Sequence, residues 1–410
     1  MLVSMGACAI GVTHGISAPT LSEVTARALA AAPELQALDA GVQEHAAMKA
    51  QAERWSNPTL SLEKENFAGS RAYRGSALAE YTATLDQTIE VGRKRRLRVE
   101  LAATALQRAE LATEIRRGVV VAEARRRFVA WQVAQAEARI ARERLESSRA
   151  AVEVVKTKRG AGVAGGLEEV RTQVAVSMAE VELEKTTQQL AQARAHLASL
   201  WQGQADEITG EAAGVTLVEP PMDELGLVRR LESGPRWQMT ESWQTSQARS
   251  AELARAMTLP DVSLQVGHRW FEEGDDRAWI VGVSVPLPIF EHNADGVRAA
   301  RAGVLRVNAE VAAEQRALRE SLAASLARVK TAYASAARLE NETLPMARRS
   351  FALVEEGYRL GRHELLYLLE AQQTLFAVEA GVAGALGELH FALTDLDALL
   401  VSPSGTASEL

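Results

Sequence analysis

Histidine, cysteine and the common catalytic motifs are the features that would give this chain chemistry of its own. The chain has seven histidines, and no two of them show the HxxxH spacing of zinc ligands. Cys8 is the only cysteine, so neither a disulfide framework nor a cysteine metal cluster is predicted. The sequence contains no nucleophile motif, no phosphate-binding loop and no dinucleotide fingerprint. We therefore predict no enzyme activity, no cofactor and no resident metal site.

The other candidate for chemistry is a basic run, GRKRRLR, at residues 92–98. Such a run can serve as a nucleic-acid patch. The net charge of −7 gives no basic footprint to support that use. The run follows a predicted strand, which favours contact with anionic lipid headgroups or a neighbouring subunit. A plain solvated start of a helix is the alternative.

A strand pattern leads directly into a helix pattern at residues 278–301. Every second residue from Trp279 to Ile289 is large and apolar, which is the period of a strand with one apolar face. Pro286 and Pro288 cannot donate to a β ladder, so they mark the end of the strand. Similar alternation predicts further strands at residues 58–65, 81–90 and 260–267, with loops at 68–76 and 271–277. The four strands form two hairpins.

Long helices account for most of the remaining chain. Helical periodicity runs without proline through residues 92–158, and about 65 residues of helix measure roughly 100 Å. Helices of that length pack against one another along their whole length. The other predicted helices are 21–54, 167–201, 225–258, 294–360 and a return helix to 400, with breaks at 160–166 and Gly361. Pro345 is expected to bend the fifth of these six helices.

The order of elements occurs twice, which predicts two internal repeats. We assign residues 19–203 to the first repeat, 204–221 to a linker, 222–400 to the second repeat and 401–410 to a C-terminal tail. Residues 1–18 resemble a signal peptide, although a basic n-region is missing. The sequence around Cys8 is a poor lipidation motif. No run of 18 apolar residues occurs, so no membrane-spanning helix is predicted.

Four strands are too few to close a barrel, and an open sheet edge in lipid leaves backbone groups without hydrogen bonds. Three copies of the chain would supply twelve strands and close both a barrel and a tube of helices. Aromatic residues cluster near the strand ends, as the girdles of a membrane barrel require. Core filling is the alternative role for them. The girdle candidates are Trp55, Phe67, Tyr81, Trp270, Phe271, Trp279 and Phe290.

Four segments resemble the outer membrane factor family, the TolC-like channels of Gram-negative efflux systems. They are VSVPLPIFEHNADGVRAARA at 283–302, NPTLSLEKENF at 57–67, LDQTIEVGRKRRLRVELA at 85–102 and YRLGRHELLYLLEAQQTL at 358–375. The third segment is similar to the subgroup that exports heavy-metal cations of the cobalt–zinc–cadmium kind. The resemblance covers nearly the whole chain from about residue 20.

The resemblance implies a mainly α fold with a transmembrane β-barrel contribution. The expected assembly is a trimeric, twelve-stranded outer-membrane β-barrel on a long periplasmic α-helical barrel. It implies a passive exit duct served by a periplasmic adaptor and an inner-membrane, proton-driven pump of the resistance-nodulation-division type. Heavy-metal cations are the expected cargo. Multidrug or other small-molecule export is the runner-up, and a soluble coiled-coil adaptor is the rival of a different class.

Family members close the tunnel at its periplasmic tip with acidic residues. Carried over by position, this implies acidic positions at Glu168 and Glu370, whereas Tyr367 departs from the acidic pattern. Threefold symmetry would place each carboxylate three times in a narrow bore, where a ring of charge selects by sign. Solvated helix-face positions are the alternative. Residues near the breaks that could hold the tip shut are Arg171, Tyr358 and Arg359, together with Arg159.

Overall fold

The computed structural model describes residues 16–162, 165–221 and 223–401. Cys8, nearly all of the predicted signal peptide and all but the first residue of the predicted tail lie outside the described residues. The strands are β1 (Ile16–Ser17), β2 (Thr59–Glu65), β3 (Glu80–Ile89), β4 (Ile208–Thr209), β5 (Val262–Phe271) and β6 (Arg277–Ser284). The helices are α1 (Leu21–Ala31), α2 (Pro33–Ala52), α3 (Lys94–Gly160), α4 (Gly166–Ala198), α5 (Glu224–Ser233), α6 (Pro235–Ala256), α7 (Ala294–Arg338), α8 (Leu344–Arg359) and α9 (Leu365–Leu399).

The chain divides into two compact units. One unit consists of residues up to 36, residues 114–235 and residues from 318 onward. The other consists of residues 37–113 and 236–317, and it contains the four-stranded sheet. Each unit draws chain from both repeats.

The two predicted hairpins form one antiparallel sheet with the strand order β2-β3-β5-β6. The final strand ends at Ser284, just before Pro286, as the prolines predicted. The boundaries of β5 differ most, because the strand begins two residues later than predicted and ends four residues later, at Phe271. The polar His268 and Arg269 concealed this continuation, although residues 268 and 270 keep the alternation of the preceding positions.

Two helices predicted as continuous are each interrupted by a proline. The predicted helix at 21–54 is two helices that meet at Pro33, and the one at 225–258 is two helices that meet at Gly234 and Pro235. Each proline is the first residue of the new helix, where its missing N–H costs no internal hydrogen bond. The apolar periodicity continues across both joints, which is why periodicity alone missed them.

The second long outgoing helix changes its winding directly before Pro345. Residues Leu339–Thr343 form a π-helical segment, and Pro345 lies in the first turn of α8 directly after it. A π segment takes up an extra residue within a helix, so backbone carbonyls near a proline can find other partners. The bend at Pro345 stays a prediction, and the change of winding lies directly before that residue.

Glycine ends both long outgoing helices, as predicted. Gly162 follows α3 with φ of 74°, and Gly361 follows α8 with φ of 75°. This left-handed conformation suits glycine at the C-terminal end of a helix because glycine has no Cβ. The return helices α4 and α9 begin a few residues later.

The core of the first unit forms around Trp131, which is fully buried on α3. Phe128 meets Trp131 edge to face, with 5.7 Å between ring centroids. Residues of α1 and α4, including Val24 and Leu197, pack in the same cluster. Ile208 of β4 joins it, and β4 pairs in parallel with β1. The region predicted as a linker thus contains a short strand.

Helix α9 is long and apolar enough to cross a membrane by length and composition alone. This differs from the prediction of no such helix, which counted only uninterrupted apolar runs. The helix also packs inside the first unit, where Leu365 and Leu368 lie in one buried cluster and Val382 and Leu386 lie in another. A helix in the core of a protein passes the same test.

Gly118 of α3 lies against Val401, which follows α9. A Cβ at Gly118 would meet a methyl carbon of Val401, whereas a Cβ at Gly381 of α9 would meet nothing within 4 Å. Glycine in a helix interior costs about 0.5–1 kcal/mol relative to alanine. We expect Gly381→Ala to raise the thermal unfolding midpoint, measured by circular dichroism, and Gly118→Ala to lower it.

We attribute the lower midpoint of Gly118→Ala to a steric clash between the new Cβ and the side chain of Val401. In a Val401→Ala background, Gly118→Ala should therefore raise the midpoint as Gly381→Ala does. An equal gain from both glycine substitutions in the otherwise unchanged chain would contradict the contact.

Candidate functional site

The four-stranded sheet exposes its apolar face. Register places Leu60, Leu85, Val266 and Val281 side by side across the four strands. All four are exposed, and Val281 reaches 80%. A sheet in a soluble protein packs such a face against a core. This arrangement suits an apolar surrounding instead of water.

The opposite face is polar and linked by hydrogen bonds. Arg269 of β5 lies 2.9 Å from Glu80 of β3 and 3.2 Å from Glu65 of β2. It also donates to the hydroxyl of Thr82, which is buried. Hydroxyl and amide contacts continue the network toward the helices, with Thr88 and Ser263 3.3 Å apart. Hydrogen bonds and ion pairs within the chain therefore link the polar face of the sheet, whereas the apolar face is exposed.

The predicted girdle residues lie at both ends of the strands. Trp55 precedes β2 and Phe290 follows β6, both on the helix side, and both are exposed. The loop side carries Phe67, Tyr81, Trp270 and Trp279, which are exposed as well. Phe271 differs from the rest, because it pairs with Glu80 on the polar face and is half-buried.

The basic run at residues 92–98 is engaged within its own unit. Lys94 lies 2.7 Å from Asp261, and Arg98 lies 2.6 Å from Glu90. The guanidinium of Arg95 stacks over a ring, 5.0 Å from the centroid of Trp55. These contacts anchor the start of α3 beside the sheet.

The second candidate site is the tip where the two helical hairpins turn. Tyr358 of α8, Val155 of α3, and Leu365 and Leu368 of α9 form a buried cluster there. Burying apolar side chains stabilises the packing of the two hairpins by about 25 cal/mol per Å² removed from water. Four of the predicted tip residues are at the surface of this region: Arg171, Arg359, Tyr367 and Glu370 are exposed.

Polar and ionic contacts lie beside the buried cluster. Lys158 donates to the carbonyl oxygen of Tyr358 at 2.6 Å, and its ammonium lies 3.7 Å from the centroid of the Tyr358 ring. Arg159 forms an ion pair with Glu169. Sequence analysis named Arg159 and Tyr358 but missed Lys158, because nothing in its local pattern distinguishes it from other lysines near a helix end.

The hydroxyl of Tyr358 is buried and finds no hydrogen-bond partner among the described residues. Burial, and next the negative charge of Glu168, raises the pKa of Tyr358 above the usual value of 10.0. Glu168 itself is half-buried, and the negative charge of its carboxylate acts on the hydroxyl of Tyr358. The remaining candidate pair, Tyr367 and Glu370, shares a helix, and the Tyr367 ring meets that of His363 edge to face.

A metal site does not emerge in the parts of the chain that the structure describes, where no three His, Cys, Asp or Glu residues come together as ligands. The exposed sheet face and the helical tip are therefore the features from which function must be argued.

Residues 24–203 and 233–401 match the model of the family described as outer membrane efflux protein. The chain belongs to this family. The matched segments follow the two repeats and cover most of the sequence. Efflux proteins of this family are transport channels of the outer membrane with a helical periplasmic domain, and they are not enzymes.

Individual relatives agree with this assignment. The chain is 27% identical to the cobalt-zinc-cadmium resistance protein CzcC of Cupriavidus metallidurans, over 78% of this chain and 76% of that protein. It is 26% identical to the nickel-cobalt-cadmium resistance protein NccC of Alcaligenes xylosoxydans xylosoxydans, over 71% and 66%. A crystal structure of CusC, described in terms of transmembrane channel formation, superposes with a TM-score of 0.77, 17% identity and coverage of 97% and 95%. The fold of the efflux protein is thus TolC-like.

The exposed sheet face gives the efflux protein a testable dependence on lipid. An arginine in place of Val281 would cost about 2–4 kcal/mol at the middle of a bilayer. We expect Val281→Arg to reduce the assembled protein in the outer membrane fraction strongly, as measured by immunoblotting of membrane fractions. Leu225 of α5 is 72% exposed but lies outside the sheet, so Leu225→Arg is the matched control and should change little. Equal losses for both variants would contradict a lipid-facing sheet.

The raised pKa of Tyr358 gives a second prediction. Because the folded protein holds this proton more tightly than the unfolded chain, Tyr358 costs no stability below pH 10 and reduces stability as the pH rises above it. An ultraviolet titration of the five tyrosines should lose its last-titrating component in Tyr358→Phe. The control Tyr73→Phe removes an exposed tyrosine and should leave that last-titrating component in place. Loss of the same component in both variants would contradict the buried environment.

Proposed function

We propose that this efflux channel is the exit duct for heavy-metal cations in a tripartite, proton-driven system. The observation that carries the proposal is similarity, over most of the chain, to relatives named for resistance to cobalt, zinc, cadmium and nickel. A conduit does not bind its cargo tightly, because passage requires release. The scattered histidines and the single cysteine of the sequence agree with weak contact.

The proposed duct is a homotrimer. The outer strands of the sheet, β2 and β6, each have one edge that is unpaired within the chain. An unpaired edge in lipid leaves N–H and C=O groups without hydrogen bonds, at several kcal/mol each. Pairing β6 of one copy with β2 of the next removes all such edges when three copies form a ring of twelve strands.

We assign the helical tip to the aperture of the duct. Glu168 and Glu370 supply carboxylates that attract cations, and the ring of Tyr367 narrows the bore near Glu370. The contact of Lys158 with Tyr358 joins the two hairpins, and the ion pair between Arg159 and Glu169 joins the two helices of the first hairpin. Arg171 and Arg359 lie on the outer surface of the tip, where contacts with other subunits form. The girdle residues, apart from Phe271 on the polar face, hold the barrel at the two membrane surfaces.

A passive duct needs partners that supply energy. We propose a periplasmic adaptor that grips the helical tip and an inner-membrane pump of the resistance-nodulation-division type. The runner-up cargo is a drug or another small molecule. The solved channels with the same fold are less than 20% identical to this chain, so the shared fold does not specify the cargo. The adaptor alternative lacks support, since the family match is to the outer membrane component.

The cargo is tested in a strain that lacks this protein and its close relatives. Such a strain should lose tolerance to Zn²⁺, Co²⁺ or Cd²⁺ while keeping tolerance to dyes and antibiotics, as measured by minimal inhibitory concentrations. The wild-type chain should restore metal tolerance fully. Glu370→Gln should restore it in part, because a ring of three carboxylates becomes neutral.

Glu388→Gln is the matched control, since Glu388 is an exposed residue of the same helix well removed from the tip. This variant should restore tolerance like the wild type. Sensitivity to drugs with normal metal tolerance would overturn the metal cargo and leave the channel assignment intact. Equal rescue by both glutamine variants would remove Glu370 from the aperture.

A further inference from the structure

We propose that the loop-side end of the exposed sheet face binds the phosphate groups of anionic lipids, through Lys64 and Arg277. The inference rests on the proposed function in one respect, namely that this face lies against lipid. Its own evidence is a row of four residues across the sheet, which we call the loop-side row: Lys64, Tyr81, Trp270 and Arg277.

The register of the strands defines this row. Lys64 pairs with Tyr81, Tyr81 with Trp270, and Trp270 with Arg277. Side chains alternate between faces along a strand, so these four project from the same face as Leu62 and Trp279. The row is the last one on this face before the turns, and Glu65, Glu80 and Phe271 follow it on the polar face. It therefore marks the edge of the apolar surface on the side away from the helices.

The two cations of the loop-side row lack anionic partners. Neither Lys64 nor Arg277 forms an ion pair among the residues that the structure describes, and both are exposed. Arg269, one residue away on the polar face, has two carboxylates within 3.2 Å. Carboxylates are thus available on the polar face and absent from the exposed one. Lys64 and Arg277 are therefore open to an anion from outside the chain.

The aromatic neighbours fit a headgroup environment. The Lys64 ammonium lies 4.9 Å from the centroid of the Tyr81 ring and 5.1 Å from that of Phe67. The His268 ring packs against Trp270, with 4.3 Å between centroids, and Trp279 follows at 5.1 Å. Amphipathic rings settle at the boundary between lipid tails and headgroups, and lysine and arginine extend their charges toward it. The charge that meets them at that depth is lipid phosphate.

Strand spacing determines how many phosphates the row takes. Three spacings of about 4.8 Å separate the two outer strands, so Lys64 and Arg277 are about 14 Å apart in the backbone. That distance is too large for both to hold one phosphate. The two cations of one chain therefore bind separate phosphate groups, Lys64 as a point charge and Arg277 with the paired donors of its guanidinium. The intervening Tyr81 and Trp270 provide the surface for the adjoining glycerol or sugar.

The test is lipid selectivity of the full-length protein in nanodiscs made of equal parts phosphatidylcholine and phosphatidic acid. After mild detergent release, native mass spectrometry counts the lipids that remain bound. The wild type should retain phosphatidic acid over phosphatidylcholine by about tenfold, because each basic residue near an anionic headgroup adds severalfold. The double variant Lys64→Gln/Arg277→Gln should lose most of this preference, and Lys64→Arg/Arg277→Lys should keep it.

Arg71→Gln/Arg74→Gln is the control, with the same change in charge on exposed residues of the neighbouring loop. It should keep the preference. No preference in the wild type, an unchanged preference in Lys64→Gln/Arg277→Gln, or an equal loss in the control would each overturn the proposal. Complete displacement of phosphatidic acid by excess inorganic phosphate would also overturn it, since the site would then recognise free phosphate and not a lipid.

A different result would contradict the proposed function instead of the phosphate-binding role. Wild-type protein that washes off phosphatidylcholine vesicles with urea would overturn the lipid-facing sheet itself. Protein that stays in those vesicles but shows no lipid preference overturns only the role of Lys64 and Arg277.

Discussion

The four-stranded sheet, with its exposed apolar face and unpaired edges, is the constraint on which the rest of this protein depends. Among the described residues, none covers its apolar face, and its outer strands β2 and β6 each leave one edge unpaired. Burial of apolar surface and pairing of backbone groups are the two requirements that a fold must meet. In the proposed trimer the membrane meets the first and the other copies of the chain meet the second. The single chain is an incomplete structure, and its long helices share that condition because they follow directly from the strands.

Charge is distributed in the chain according to what surrounds each surface. On the polar face of the sheet and at the start of α3, basic side chains have carboxylates of the same chain beside them, as Arg269 and Lys94 illustrate. At the helical tip, Lys158 is used twice, as a donor to a carbonyl and as a cation over the Tyr358 ring. On the exposed face, Lys64 and Arg277 have no carboxylate partner among the described residues. The same residue types therefore serve folding in one place and contact with the surroundings in another.

The sequence predicted the strands well because alternation is a direct record of the two faces of a sheet. Trp279, Val281 and Val283 are exposed on one face, as their spacing indicated. Helix boundaries were harder, because Pro33 and Pro235 start new helices inside an unbroken apolar period. The tip was predicted least, since the contact between Lys158 and Tyr358 joins residues 200 positions apart and leaves no local signal. Residues that act through distant partners can be identified only when the fold brings them together.

The π segment at Leu339–Thr343 has a consequence for how the two repeats diverged. The corresponding helix of the first repeat, α3, runs for 67 residues without such a segment. One residue added to a helix rotates everything beyond it by about 100°. The π segment takes up such a residue locally, so positions on both sides of it stay buried, with Ala336 on α7 and Ala347 on α8. If the chain arose by duplication of one half, an extra residue in only one of the two long helices makes the halves unequal, and a ring of three such chains then has threefold and not sixfold equivalence.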